Sequence, residues 1–114
     1  MKILHLTLKK KWFDMVASGE KKEEYRDIKI YWWTRLVQCG ECFRDDGELR
    51  PVDRWELLLE KKFDVVVFKN GYQKDAKKIT LEWLGMERGE GKKEWGAEPN
   101  KEYFVIKLGE ILNK

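Results

Sequence analysis

Between residues 19 and 27 the chain reads Gly-Glu-Lys-Lys-Glu-Glu-Tyr-Arg-Asp, which sets an ammonium (Lys21), a carboxylate (Glu24) and a guanidinium (Arg26) close together. If residues 24–26 form a strand, the two-residue alternation of side chains puts Glu24 and Arg26 on one face and Tyr25 on the other. Lys21, in the turn before them, can swing to meet that pair. Such a group can grip a base edge, a phosphate or an acyl group. Arg26 would be a fixed two-pronged donor, Lys21 a movable charge and Glu24 an acceptor for an exocyclic amine. With Lys21 and Glu24 as acid and base, the same residues are candidate catalytic groups for hydrolysis. The competing reading is a solvated charge run with ordinary surface ion pairs.

Further candidates lie outside this stretch. Lys9, Lys10 and Lys11 are expected to be exposed on the first turn of a helix, and together with residues 21–26 they make the one concentrated basic zone. Trp12 belongs either to the core or to the wall of a cleft. Asn70-Gly71-Tyr72 is explained as a turn by its Asn-Gly pair, yet Asn70 can pair with a base edge and Tyr72 can stack on a base. Trp95 sits in a glycine-punctuated loop with Lys92 and Lys93, where it is either a movable stacking lid or an anchor that pins the loop to the core. The candidate ligand-binding set is therefore Lys9, Trp12, Lys21, Glu24, Arg26, Asn70, Tyr72 and Trp95.

The elements that must position these groups follow from periodicity and punctuation. Ile3, Leu6 and Leu8, with His5 and Thr7 between, predict an opening strand of mixed burial. Trp12, Met15 and Val16 recur at helical spacing over 9–18, and Gly19 is placed to end that helix in the left-handed conformation glycine enters cheaply. The aromatic and β-branched run 31–37 reads as a second helix, with a strand as the alternative. Pro51, a good first helical residue, and the spacing of Val52, Trp55, Leu58 and Leu59 predict a third helix to about residue 62. Strands are expected at 63–68, closed by the Asn70-Gly71 turn, at 79–84, burying Ile79, Leu81 and Trp83 together, and at 103–108, with a polar tail after Leu112. Residues 89–96 read as a loop. Counting the strand at 24–26, about five strands and two or three helices describe an α+β protein, a small mixed β-barrel rather than a parallel doubly wound sheet.

A chain of 114 residues holds one domain, 1–114, built on a single core. Because 24 basic residues are offset by 21 acidic ones, the net charge of +3 leaves nucleic-acid binding to a local patch. Six Trp, four Tyr and five Phe exceed what an aliphatic core of this size needs, so some are expected to line a cavity or groove. Residues 1–12 hold no apolar run of signal-peptide length, and nothing approaches the roughly 18 apolar residues of a membrane span. A soluble, cytoplasmic protein with no membrane partner is expected. Cys39 and Cys42 form the single Cys-x-x-Cys, and His5 is the sole histidine. Two sulfurs without further ligands leave zinc undercoordinated, so reduced thiols in a loop and no bound metal are expected of the monomer, the favoured state. No cofactor is implied.

A strand, a short helix carrying Trp12-Phe13, then Gly19-x-Lys21-x-x-Glu24-x-Arg26 and a strand-rich remainder together resemble the ASCH domain, named for homology to the activating signal cointegrator, within the PUA-like superfamily. The architecture is similar over essentially the whole chain, and the specific signature is Gly19, Lys21, Glu24 and Arg26. The resemblance implies a small PUA-like β-barrel flanked by helices, with a cleft beside the motif that serves RNA or a nucleotide. Some ASCH-like proteins are amidohydrolases acting on N4-acetylcytidine and resemble this chain at Lys21 and Arg26. Where they carry a threonine, thought to be the nucleophile, this sequence has Glu24. A carboxylate is a poor substitute for a hydroxyl in acyl transfer at an amide. The resemblance thus implies binding of RNA, a nucleoside or a nucleotide first, with hydrolysis of a modified nucleoside or of RNA as the alternative.

Overall fold

Leu4, Leu6 and Leu8 alternate with His5 and Thr7, and this alternation forms the first strand, β1 (Ile3–Leu8), with the three leucines buried and Ile3 turned outward. A computed structural model describes residues 1–38, 59–60 and 62–113 of the protein. Helix α1 (Lys10–Ala17) follows, burying Phe13 and Val16. It stops where the sequence predicts, at Gly19, whose φ of +83° is the left-handed conformation that terminates a helix. Beyond Gly19 the Lys21 N–H folds back onto the Met15 carbonyl at 3.0 Å. That bond aims the Lys21 side chain inward as the chain enters β2 (Glu23–Asp27).

The run 31–37 resolves as helix α2 (Ile30–Leu36), with Trp33 and Leu36 buried in the core. Two short strands, β3 (Val37–Gln38) and β4 (Leu59–Glu60), pair antiparallel. Leu59 and Glu60 therefore do not belong to the helix predicted to run to about residue 62. Pairing with Val37 and Gln38 outweighs the helical spacing there. The rest of that helix, with Cys39 and Cys42, lies outside the described residues.

Strand β5 (Val65–Asn70) is the expected apolar run. Strands β6 (Lys78–Glu90) and β7 (Glu102–Asn113) are each about twice as long as periodicity predicts, because they pair with one another almost end to end. Gly89 and Glu90 thus lie in a strand rather than in a loop, and β7 continues past residue 108 to Asn113. Register shifts around Leu81, Trp83 and Gly85 turn the strand, so Ile79 and Leu81 are buried while Trp83 is only half-buried, its ring 5.1 Å from that of Phe63.

The sheet order is β1-β5-β6-β7-β2, with β1 and β5 parallel and the other neighbours antiparallel. It curls into a half-barrel, so this is a small mixed α+β fold in which, among the described residues, β1 and β2 are free edges. The expected small mixed barrel is thus present as a five-stranded half-barrel. Phe13, Val16, Trp33 and Leu36 of the two helices pack with Leu6, Phe68, Phe104 and Ile106 in the core. Tyr103 and Val105, on the opposite face of β7, bury against Ala97 and Tyr25 in a second cluster, so β7 is covered on both sides. No helix among the described residues is long and apolar enough to cross a membrane.

Candidate functional site

The two free edges meet at a seam, and side chains bridge it. Arg26 Nη2 reaches from β2 across to β1 and donates to the Thr7 carbonyl at 3.3 Å. The same nitrogen donates to Glu24 Oε2 at 2.9 Å, which uses both of its hydrogens. Glu24 and Arg26 do share a face of β2, as alternation requires. Glu24 Oε1 accepts from Lys21 Nζ at 2.7 Å and from the Tyr25 N–H at 3.0 Å. That amide belongs to the free edge of β2, and Glu24 occupies the position a neighbouring strand would have taken.

Lys21 differs from its expected role. Its side chain is 1% exposed and paired with a carboxylate that is itself only 8% exposed, so it is a fixed internal cation rather than a charge that swings toward a ligand. The helix stop at Gly19 puts it there. Arg26 is more open, at 19%, and its guanidinium lies over the Trp32 ring at 4.9 Å. Among the described residues its Nε–H is buried and has no hydrogen-bond partner.

A cleft of about 430 Å³ opens along this seam. Lys9, Trp12, Glu24, Arg26, Tyr72 and Trp95 line it, all of them candidates from the sequence. They come from the first turn of α1, from β2, from the turn after β5 and from the loop before β7. Lys21 lies behind Glu24 and does not line the cleft, and neither does Asn70, whose N–H closes the β5 turn onto the Lys77 carbonyl at 2.9 Å. Tyr72 is 89% exposed and stands at the rim. Trp12 fills both of its alternative roles, packing against the core and walling the cleft. Of the three lysines that open α1 only Lys9 lines the cleft, since Lys10 pairs with Asp14 and Lys11 lies over the Trp12 ring.

Thr7, Leu8, Tyr25, Gly71, Gly96 and Tyr103 also line the cleft and were not among the candidates. No local signal marks Thr7 or Tyr103, because their place depends on which strands are edges. No family model, curated protein or solved structure matches the chain. What the cleft can hold follows from its own groups: a half-paired guanidinium and a lysine for an anion or a carbonyl, and aromatic rings from separate elements for a planar ligand.

Behind β2 a second polar group supports the wall. The Tyr25 hydroxyl donates to Glu23 Oε1 at 2.8 Å, and Lys107 pairs with the other oxygen of Glu23. Burial pushes the Glu23 carboxyl up, but the hydrogen bonds from Lys107 and Tyr25 and the charges of Lys107 and Lys92 outweigh it and hold it below its ordinary value. Burial first, then the Glu23 carboxylate, pushes the Tyr25 phenol well above its usual range, against the opposing hydrogen bond from the Lys92 amide.

Proposed function

We propose that the cleft binds a nucleotide unit, free or within single-stranded RNA. The observation that carries this is Arg26: one nitrogen of its guanidinium is spent holding the seam, while the side chain remains 19% exposed in a cleft lined by aromatic rings. Lys9 adds charge at the rim, and Trp12, Tyr72 and Trp95 offer faces on which a base can stack. The volume lies within the roughly 300–1,000 Å³ of small-molecule sites.

The same proposal takes the chain as ASCH-like, with Gly19, Lys21, Glu24 and Arg26 as its signature. Binding is favoured over hydrolysis by the engagement of Glu24. Both of its oxygens already accept hydrogen bonds, and Lys21 is sealed beneath it, which leaves neither placed to act as base or acid on a bound substrate.

Titration calorimetry with the four ribonucleoside monophosphates, and fluorescence polarisation with a labelled single-stranded RNA octamer, test the proposal. Tyr72→Ala is expected to weaken binding about five- to thirtyfold, the size of one lost stacking contact, with an unchanged melting temperature. Arg26→Lys, which loses the fork, should weaken it about tenfold or more. Absence of binding by the unaltered protein to every one of these probes would overturn the assignment, and product formation in the same mixtures would reassign the cleft to hydrolysis.

A further inference from the structure

The segment between β6 and β7 carries Trp95 and Gly96 to the cleft, and its geometry assigns work to two cleft-lining tyrosines whose strand positions alternate with that of Arg26. The chain makes a single 3-10 turn (Lys93–Trp95), closed by Gly96 at φ +103°. On one side of that turn the Lys92 N–H donates to the Tyr25 hydroxyl at 2.9 Å. On the other the Glu98 N–H donates to the Tyr103 hydroxyl at 2.9 Å. The two rings, from neighbouring strands, lie 5.7 Å apart. Tyr25 commits its own proton to Glu23, so its oxygen is left to accept from Lys92.

Small residues let the loop lie flat against these rings. A Cβ at Gly91 would stand 2.6 Å from two carbons of the Tyr25 ring, and a Cβ at Gly96 would come within 3.1 Å of the Trp12 ring. Ala97, within the loop, is buried against the two tyrosines. Trp95 is held between the two bonded amides, with the Lys92 ammonium 4.4 Å from its ring centroid.

We infer that Tyr25 and Tyr103 are positioning residues for the cleft: their hydroxyls clamp both ends of the loop over 92–98 and hold Trp95 as a fixed wall rather than a lid that must be ordered on binding. The clamp rests on the nucleotide proposal for its purpose, and on the two amide bonds for its existence. A wall set before the ligand arrives removes an ordering cost from binding. The raised pKa of Tyr25 keeps the proton on its own oxygen, donated to Glu23, throughout the neutral range.

Tyr25→Phe and Tyr103→Phe keep the rings and remove the acceptors. Amide hydrogen exchange, resolved by NMR, is expected to speed up about tenfold or more at Lys92 in the first variant and at Glu98 in the second, with the amides of 104–106 in β7 unchanged as a control on folding. Binding of the labelled RNA octamer should fall several-fold in each variant, and that loss should vanish when Trp95→Ala is already present, because the clamp acts through Trp95. Unchanged exchange at both amides overturns the clamp. Binding losses that add in full to that of Trp95→Ala overturn its action through Trp95. If the unaltered protein does not bind the octamer, the nucleotide proposal fails while the exchange rates still decide whether the clamp exists.

Discussion

Glu24 holds the seam together. It stands as an anion between two cations, accepting from Lys21, from Arg26 and from the amide of its own neighbour, and its side chain is 8% exposed. Removing one member of a buried ion pair leaves an uncompensated charge, at a cost of about 3–5 kcal/mol. Glu24→Gln should therefore lower stability by about 3 kcal/mol or more in urea denaturation, since Lys21 and Arg26 would face one another with no counter-charge between them. Lys21→Met should cost less, because Glu24 keeps Arg26 and the Tyr25 N–H and the aliphatic stem is replaced in kind. Equal stability of Glu24→Gln and the unaltered protein would show that the seam does not depend on this pair. Arg26 is the member that reaches solvent, so its conservative variant is the one in which lost binding separates most cleanly from lost stability.

At the scale of elements, the loop between β6 and β7 turns a strand connection into a cleft wall. Gly91 is where it touches β2 most tightly, with the Tyr25 ring at 2.6 Å and the Ala97 Cβ at 2.7 Å from the position of an added methyl. Neither neighbour is the free end of a flexible chain. Gly91→Ala is expected to destabilise by about 1–3 kcal/mol, as overpacking does, and to displace the loop. Gly89→Ala supplies the comparison: nothing lies within 4 Å of its added Cβ, so its stability should stay within about 0.5 kcal/mol of the original. Thermal melts of the two variants check this, and equal melting points would mean that the loop yields freely. Reading 89–96 as a loop missed that β6 extends through Glu90, because glycines at 89 and 91 look like punctuation until β7 is there to pair with.

Over the whole molecule, Glu23, Lys107 and Tyr25 join an edge strand, the central β7 and the loop in one titrating network. Glu23 is held below its ordinary value, so its contribution to stability is present above about pH 4.3, the usual glutamate range, and lost as pH falls through its lowered value. Lys107 is raised, chiefly by its hydrogen bond to Glu23 against the pull of burial, and Tyr25 is raised chiefly by burial. Their contributions are full below about pH 10 and lost as pH climbs beyond it. Urea denaturation across pH should show a plateau between about pH 5 and pH 9, and Tyr25→Phe should fall less steeply on the alkaline side because its phenol no longer resists ionising. Coincident alkaline limbs would contradict this account of Tyr25. By itself the sequence determined what is local: the five main strands, the helix stop at Gly19, and the common face of Glu24 and Arg26, each of which follows from side-chain period or from glycine's φ freedom. Only the tertiary structure decided that β1 and β2 are the sheet's edges among the described residues, that Lys21 is sealed behind Glu24, and that Tyr25 and Tyr103 reach the loop. Those outcomes rest on which strands pair across long separations in the chain, and a strand carries its hydrogen-bonding groups along both edges whatever its sequence, so its partners are set by the packing of the whole fold.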